Sequence, residues 1–295
     1  MIRTRVVIVL GGGPEDRART TADILERPGC TALVLTGHPD AMDPRLDVSA
    51  DGPVELRVDD SRARLEAYRS GAANPDDDVL AALAVGGDTP LAAVLGWEYA
   101  RRAAMSDFWD VVVVELDGEL TAIRRLAAAG ELAAFVESRW PANVRFASMA
   151  AGGRADARLR EAHRLARLAG DVADFLAGPV EIVVAGSRTG DTAAMAALAR
   201  GAVAPVVAPD GEGGYLCEYP APTRPAAPVS IEGDRLRLEF DGFRTVVPLP
   251  ALLSRCVLTG SAYDPDAARL VINFLPDPDL WPPNLVPSGS ADCAG

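Results

Sequence analysis

Short runs of β-branched residues, separated by stretches with helical spacing, constrain the fold of this chain most strongly. Six such runs lie before about residue 207. Each is bounded by Gly, Asp or Pro, which is typical of strands buried on both faces. We therefore predict strands at Arg5–Leu10, Ala32–Leu35, Val54–Val58, Asp110–Glu115, Val180–Ala185 and Val203–Val207.

The stretches between these strands carry apolar residues at three- and four-residue steps, which predicts amphipathic helices. Alternating strands and helices, joined by right-handed crossovers, give a mostly parallel sheet with helices on both faces. We predict an α/β, doubly wound fold for residues 1–207. The predicted helices cover residues 18–25, 91–104, 119–137, 155–176 and 191–200.

The pattern changes after about Gly211. In Arg235–Phe240 every second residue is apolar, which is typical of a half-buried antiparallel strand. We predict a small all-β sandwich at residues 212–284 and a disordered tail at 285–295, which is rich in Pro, Gly, Ser and Ala. The predicted strands of the sandwich are Arg235–Phe240, Phe243–Leu249, Cys256–Thr259 and Leu270–Leu275.

Composition excludes several classes of function. The 295 residues include 29 basic residues, all of them arginine, and 42 acidic ones, so the net charge is −13. This charge argues against binding to nucleic acid or to an anionic membrane. The four cysteines form no CxxC pair, and no apolar run reaches 18 residues. We therefore expect a cytoplasmic protein without a membrane-inserted segment.

A three-glycine turn follows the first predicted strand, where a P-loop would lie. A P-loop holds phosphates with backbone N–H groups and a lysine, and holds magnesium with a hydroxyl. In the matching window, Gly13–Thr20, the lysine position is Arg19 and the hydroxyl is that of Thr20. The candidate phosphate-loop residues are Gly11, Gly12, Gly13, Arg19, Thr20 and Thr21.

The same window contains groups that oppose phosphate binding. Glu15 and Asp16 would repel a triphosphate by about 1–4 kcal/mol for each pair of charges. Pro14 removes one backbone donor. Two interpretations stay open, a phosphate cradle and an ordinary glycine-rich turn between a strand and a helix.

Five segments, in this order, resemble the ArsA-like family, which comprises the arsenical-pump ATPases and the tail-anchored-protein-targeting ATPases. The five segments together cover nearly the whole chain. The last of them resembles the α-crystallin-like (small heat-shock) domain of ArsA-like proteins from high-GC bacteria. The segments are RVVIVLGGGPEDRARTTA, CTALVLTGHPDAMD, WDVVVVELDGELTAIRRL, VEIVVAGSRTGDTAAMAAL, and GYLCEYPAP with GDRLRLEFDGFRTVVPLPALLSRCVLTGSAYDPDAARLVINFLPDPDLWP.

The resemblance implies a P-loop NTPase-like domain whose chemistry is degenerate. The family's P-loop lysine falls on Arg19, its switch II aspartate falls on Glu115, and only Thr20 matches a magnesium ligand. Phosphoryl transfer depends on positioning and on neutralising charge, so the loss of the lysine implies a pseudo-ATPase that binds no cofactor. The alternative is a weak magnesium-dependent ATPase that binds Mg-ATP, with Glu115 and Asp117 as its catalytic residues.

The resemblance also implies a protein partner, since members of the family work as dimers. We expect a homodimer, or a heterodimer with an ArsA-like protein, and no nucleic-acid partner. His38 follows the second predicted strand as either a ligand or an ordinary loop residue.

Overall fold

The computed structural model describes residues 4–26, 29–48, 53–70, 89–118, 120–150, 156–186, 190–201, 205–221, 224–240 and 243–281. The chain divides into two compact units, Met1–Ala196 and Ala197–Gly295. The predicted tail at 285–295 lies outside the described residues. No described helix is both long enough and apolar enough to cross a membrane.

The first unit contains a five-stranded sheet in which every neighbouring pair is parallel. This confirms the predicted α/β class. The order across the sheet is β3-β2-β4-β1-β5. The strands are β1 (Arg5–Leu10), β2 (Ala32–Thr36), β3 (Val54–Val58), β4 (Val111–Glu115) and β5 (Val180–Val184).

Two helices that the sequence did not predict, α2 and α5, lie among the helices that surround this sheet. Only Leu65 is buried among the described side chains of α2, and only Arg145 is buried in α5, so neither helix buries an apolar stripe. The helices are α1 (Pro14–Leu25), α2 (Ser61–Ser70), α3 (Pro90–Ala104), α4 (Leu120–Arg139), α5 (Ala142–Ala150), α6 (Ala157–Ala177) and α7 (Gly190–Ala199).

Alternate residues of the strands form the two faces of the sheet. Leu25 of α1 belongs to a buried cluster with Val7, Val9, Val111 and Val113, so α1 covers that face. The intervening residues, such as Ile8, are equally buried, and α3 contacts β4 while α6 contacts β5. Burial on both faces explains why the three central strands, β1, β2 and β4, read as nearly continuous apolar runs.

The chain reverses direction across the sheet between β1 and β4. From β1 it proceeds to β2 and β3 at one edge, and from β4 it crosses to β5 on the other side of β1. Right-handed connections that leave β1 and β4 in opposite directions lie on opposite faces. A crevice therefore opens at the carboxyl ends of these two strands, which is where open α/β sheets bind ligands.

The second unit contains two antiparallel sheets, in the orders β11-β12-β7-β6 and β10-β9-β8. The prediction of antiparallel strands is confirmed. A strand at Val203–Val207 was predicted for the parallel sheet. Residues 203 and 204 lie outside the described residues, and residues 206 and 207 belong to β6, which pairs antiparallel with β7. The predicted place of this strand in the parallel sheet was therefore wrong. The strands are β6 (Val206–Pro209), β7 (Tyr215–Pro220), β8 (Ser230–Glu232), β9 (Arg235–Phe240), β10 (Phe243–Pro248), β11 (Cys256–Asp264) and β12 (Arg269–Pro276).

Candidate functional site

Helix α1 begins immediately after the three-glycine turn. Pro14 is the first helical residue, and the Arg17 N–H donates to the Gly13 carbonyl at 3.1 Å. Most of the window Gly13–Thr20 is therefore helix, and the predicted helix start at Ala18 is wrong by four residues. Proline at the first helical position, followed by two acidic residues, is a helix-start signal that the sequence contained.

The turn presents carbonyl groups rather than N–H groups to its interior. Gly11 and Gly12 have positive φ angles of 79° and 57°. Their carbonyl oxygens accept hydrogen bonds from Nη1 of Arg17, at 3.3 and 2.9 Å respectively. A phosphate-binding turn directs N–H groups at an anion. Here a cation of the chain itself occupies the interior of the turn.

The Asp16 carboxylate accepts a hydrogen bond from one backbone N–H group of the turn. Its Oδ2 accepts a hydrogen bond from the Gly13 N–H at 3.1 Å. A carboxylate at a helix N-terminus satisfies backbone donors and is stabilised by the helix dipole. The Gly13 N–H group, which could otherwise donate to a phosphate, is therefore already bonded to a carboxylate.

Arg17 links the turn to the segment that follows β4. Its side chain is only 3% exposed, and its Nη2 donates to Oδ1 of Asp117 at 2.5 Å. Nε2 of His38, in the loop after β2, lies 3.2 Å from the same oxygen. A Cβ atom on Gly37 would lie 2.8 Å from Oδ2 of Asp117, so a side chain at this position would require the carboxylate to shift.

A second polar pair lies deeper at the same edge of the sheet. The Thr21 hydroxyl on α1 donates to Oε1 of Glu115 at 2.5 Å, and both residues are buried. Glu115 is the last residue of β4. This bond joins α1 to β4 beneath the glycine turn.

Two of the predicted site residues lie away from this arrangement. The side chain of Arg19 is 62% exposed and lies 3.5 Å from Asp16. The Thr20 hydroxyl donates to the backbone carbonyl of Asp16 at 2.8 Å. The structure thus brings together Gly11–Gly13, Thr21, Glu115 and Asp117, without Arg19 or Thr20. The sequence pattern missed Arg17, because nothing in it marks one arginine among 29 as buried.

A cleft of about 540 Å³ opens beside the N-terminus of α1. It is lined by residues 13–16 and by residues 37–41 of the loop after β2. The charged groups at its surface are the carboxylates of Glu15, Asp16 and Asp40, next to the imidazole of His38. Its potential therefore favours cations over anions.

The site does not fit a magnesium–nucleotide complex. The residues that the resemblance assigns to the phosphates and to magnesium, Arg19 and Thr20, are turned away or bonded to backbone.

Comparisons with known proteins leave the family open. No protein-family model matches this chain. Over 76 residues the chain is 36% identical to an uncharacterized protein of Streptomyces coelicolor. The match covers 26% of this chain and 19% of that protein, so the chain spans about a fifth of the relative's length. The resemblance to the ArsA-like family stays a prediction.

Proposed function

We propose that this chain is a nucleotide-incompetent protein, with a degenerate ArsA-like domain and an α-crystallin-like domain, that acts by binding another protein. The observation that carries this proposal is the guanidinium of Arg17 on the carbonyls of Gly11 and Gly12. The turn surrounds this cation with carbonyl oxygens, whereas a phosphate-binding turn surrounds its anion with backbone N–H groups.

Opening the turn would be costly. A phosphate would have to displace Arg17 from a buried position in which it bonds to two carbonyls and one carboxylate. Leaving one member of a buried ion pair without its partner costs about 3–5 kcal/mol, and this pair is buried on one side only. The phosphate would then meet carbonyl oxygens and the carboxylates of Glu15 and Asp16, which repel it.

Exposed aromatic side chains support the protein-binding part of the proposal. Phe108 is 67% exposed and Phe146 is 60% exposed. Aromatic residues, including Phe, are enriched in protein–protein interfaces relative to the rest of the protein surface. The partner we propose is a second copy of this chain or an ArsA-like protein.

Thermal unfolding with and without Mg-ATP tests nucleotide incompetence. A ligand at 100 times its dissociation constant stabilises a protein by about 2.7 kcal/mol, which raises the midpoint by about 5 °C or more. We expect no shift with millimolar Mg-ATP or Mg-ADP. A shift of that size would contradict the proposal.

One observation favours the alternative of a weak magnesium-dependent ATPase. The buried bond between Thr21 and Glu115 joins the helix after the glycine turn to the end of the neighbouring strand. This alternative predicts ATP hydrolysis that is lost in both Glu115→Gln and Arg19→Ala. Hydrolysis that persists unchanged in both variants indicates a contaminating enzyme.

A further inference from the structure

One face of the four-stranded sheet in the second unit is apolar and exposed. Alternate residues of β12, such as Phe274, are buried, and the residues between them form the opposite face, which we call the outer face. The strand register places further residues of β6, β7 and β11 on the outer face, because paired residues share a face. Its larger apolar residues are Val206, Leu216, Val257, Val271 and Leu275. Val206 is 59% exposed and Val257 is 49% exposed.

The neighbouring sheet of the same unit shows a different pattern. In β9 the buried residues, such as Leu238, alternate with three charged ones, as expected for a strand with one solvated face. In β12 the residues on the outer face include Val271 and Leu275, so this strand carries apolar residues on both faces. Strands of this kind are typical of sheets that are covered on both faces, and contiguous exposed apolar surface marks interaction sites. The outer face therefore has the composition of a contact surface.

The charged groups on the outer face already have partners within the chain. Nη1 of Arg269 donates to Oε2 of Glu218 at 2.7 Å. Asp264 is the last residue of β11, and its Oδ1 accepts hydrogen bonds from the backbone N–H groups of Asp266 and Ala267. A contact between two copies places the same patch on both sides, so an unpaired charge would face its own counterpart. A chain with a net charge of −13 can therefore meet a copy of itself most readily at a face of this kind.

We propose that two copies of this chain form a dimer in which the outer faces of their four-stranded sheets pack against each other. The contact is isologous, since both copies use the same face. Its geometry is that of two sheets in an aligned sandwich, with strand directions about 30° apart. This inference rests on the proposed protein-binding function and specifies both the partner and the surface.

The size of the outer face suits a reversible dimer. Its four strands contain 4, 6, 8 and 9 residues. With strands about 4.8 Å apart and a rise of about 3.4 Å per residue, the face measures about 450 Å². Two such faces bury about 900 Å², close to the lower limit of about 1,000 Å² for specific interfaces. We therefore expect a dimer that dissociates on dilution.

Sedimentation velocity of the full-length protein, over a series of micromolar concentrations, tests this inference. We expect the sedimentation coefficient to rise with concentration from the monomer value to a plateau at the dimer value. Val206→Arg and Val257→Arg each place a guanidinium in the contact, and we expect either change to raise the dissociation constant of the dimer about tenfold or more. Circular dichroism verifies that each variant is folded.

The matched control is Val58→Arg, which makes the same change at a residue of β3 that is 54% exposed. It alters the net charge of the chain by the same amount as the test variants do. We expect the wild-type dissociation constant for this control, so a loss confined to the test variants is not an effect of net charge.

Three outcomes would overturn the inference. They are a monomer at every concentration, growth beyond the dimer without a plateau, and equal dissociation constants in the test and control variants. A dimer that persists unchanged in Val206→Arg and Val257→Arg would place the contact on another surface and would leave the proposed protein-binding function intact. Nucleotide incompetence is measured separately with Mg-ATP, so failures of the two proposals are distinguishable.

Discussion

Arg17 binds the backbone carbonyl groups that face the interior of the glycine turn. Three glycines after a buried strand are compatible with either a phosphate cradle or an ordinary turn, because backbone groups of either kind can face the interior. In this chain the carbonyls of Gly11 and Gly12 face Arg17, which is also bonded to Asp117. In the structure a side chain from the helix that follows therefore closes the turn.

Replacing Arg17 tests its role in stability. Arg17→Ala leaves two carbonyls and the Asp117 carboxylate without their donor. We expect the free energy of unfolding to fall by about 2–4 kcal/mol, because lost partners of partly buried polar groups cost this much. The control is Arg19→Ala, whose exposed side chain makes only a long ion pair, and we expect a change within about 0.5 kcal/mol. Urea unfolding measures both, and equal effects would refute the assignment.

Gly37 is a second residue on which the site depends. In Gly37→Ala the new Cβ would lie 2.8 Å from Oδ2 of Asp117, so this carboxylate must shift, which disturbs the contacts of its Oδ1 with Arg17 and His38. We expect a loss of about 1–2 kcal/mol in the free energy of unfolding.

The control for this variant has the opposite expected sign. Gly170 lies inside α6 with no atom within 4 Å of the position of a Cβ. Gly170→Ala should therefore stabilise the protein by about 0.5–1 kcal/mol. A Gly37→Ala variant as stable as the wild type would contradict the proposed contact.

The position of the site in the sheet was predictable from residue types in the sequence. Glycines after a strand, and acidic residues at the end of the neighbouring strand, locate the site because parallel strands place their carboxyl ends at one edge. Arg17 was not predictable, since an arginine is buried only when tertiary structure brings it partners. The partners here are Asp117, 100 positions away, and two carbonyls whose direction depends on the glycine φ angles.

At the scale of elements, a buried ionic cluster joins β3 to two helices. Asp59, directly after β3, pairs with Arg64 of α2 and with Arg125 of α4. Burial raises the pKa of the Asp59 carboxyl, but the guanidinium groups of Arg125 and Arg64 outweigh burial and hold this pKa below its usual value. The ionised cluster therefore stabilises the folded state.

The cluster predicts a dependence of stability on pH. Because the folded-state pKa of Asp59 is depressed, its contribution is present above the unfolded pKa of about 3.9 and is lost as the pH falls through the folded value. We expect Asp59→Asn to be less stable than the wild type by about 2–4 kcal/mol at pH 7, with the difference shrinking below about pH 4.

Chemical unfolding at a series of pH values measures this difference. Asp266→Asn, a change at an exposed residue of the second unit, is the control and should follow the wild type at every pH. A difference between Asp59→Asn and the wild type that stays constant from pH 7 to pH 3 would contradict an ionised Asp59.

The strands of the first unit were predicted within about one residue, and α2 and α5 were not predicted. β1 and β3 match their predicted bounds, because Gly11 follows β1 and Pro53 and Asp59 flank β3. Periodicity did not reveal α2 and α5, because ion pairs and the Arg145 hydrogen bonds attach them where other helices use apolar stripes. Polar anchoring of this kind leaves no pattern in a single sequence.

At the scale of the whole molecule, the change of pattern along the chain correctly predicted an α/β region followed by antiparallel strands. It did not predict the sheet to which β6 belongs. Val206–Pro209 is as apolar as the buried strands, but it pairs with β7, the next strand along the chain. The glycine-rich turn at residues 210–214 that joins them is a hairpin signal that the sequence contained. The predicted families of both regions stay predictions, since no protein-family model matches the chain.

Isothermal titration calorimetry of the purified chain with Mg-ATP at neutral pH measures whether the turn after β1, filled by Arg17, receives phosphates. We expect no saturable heat of binding at nucleotide concentrations up to about 1 mM, where a millimolar dissociation constant corresponds to about −4 kcal/mol. Saturable binding with micromolar affinity, weakened by Thr20→Ala, would contradict this expectation.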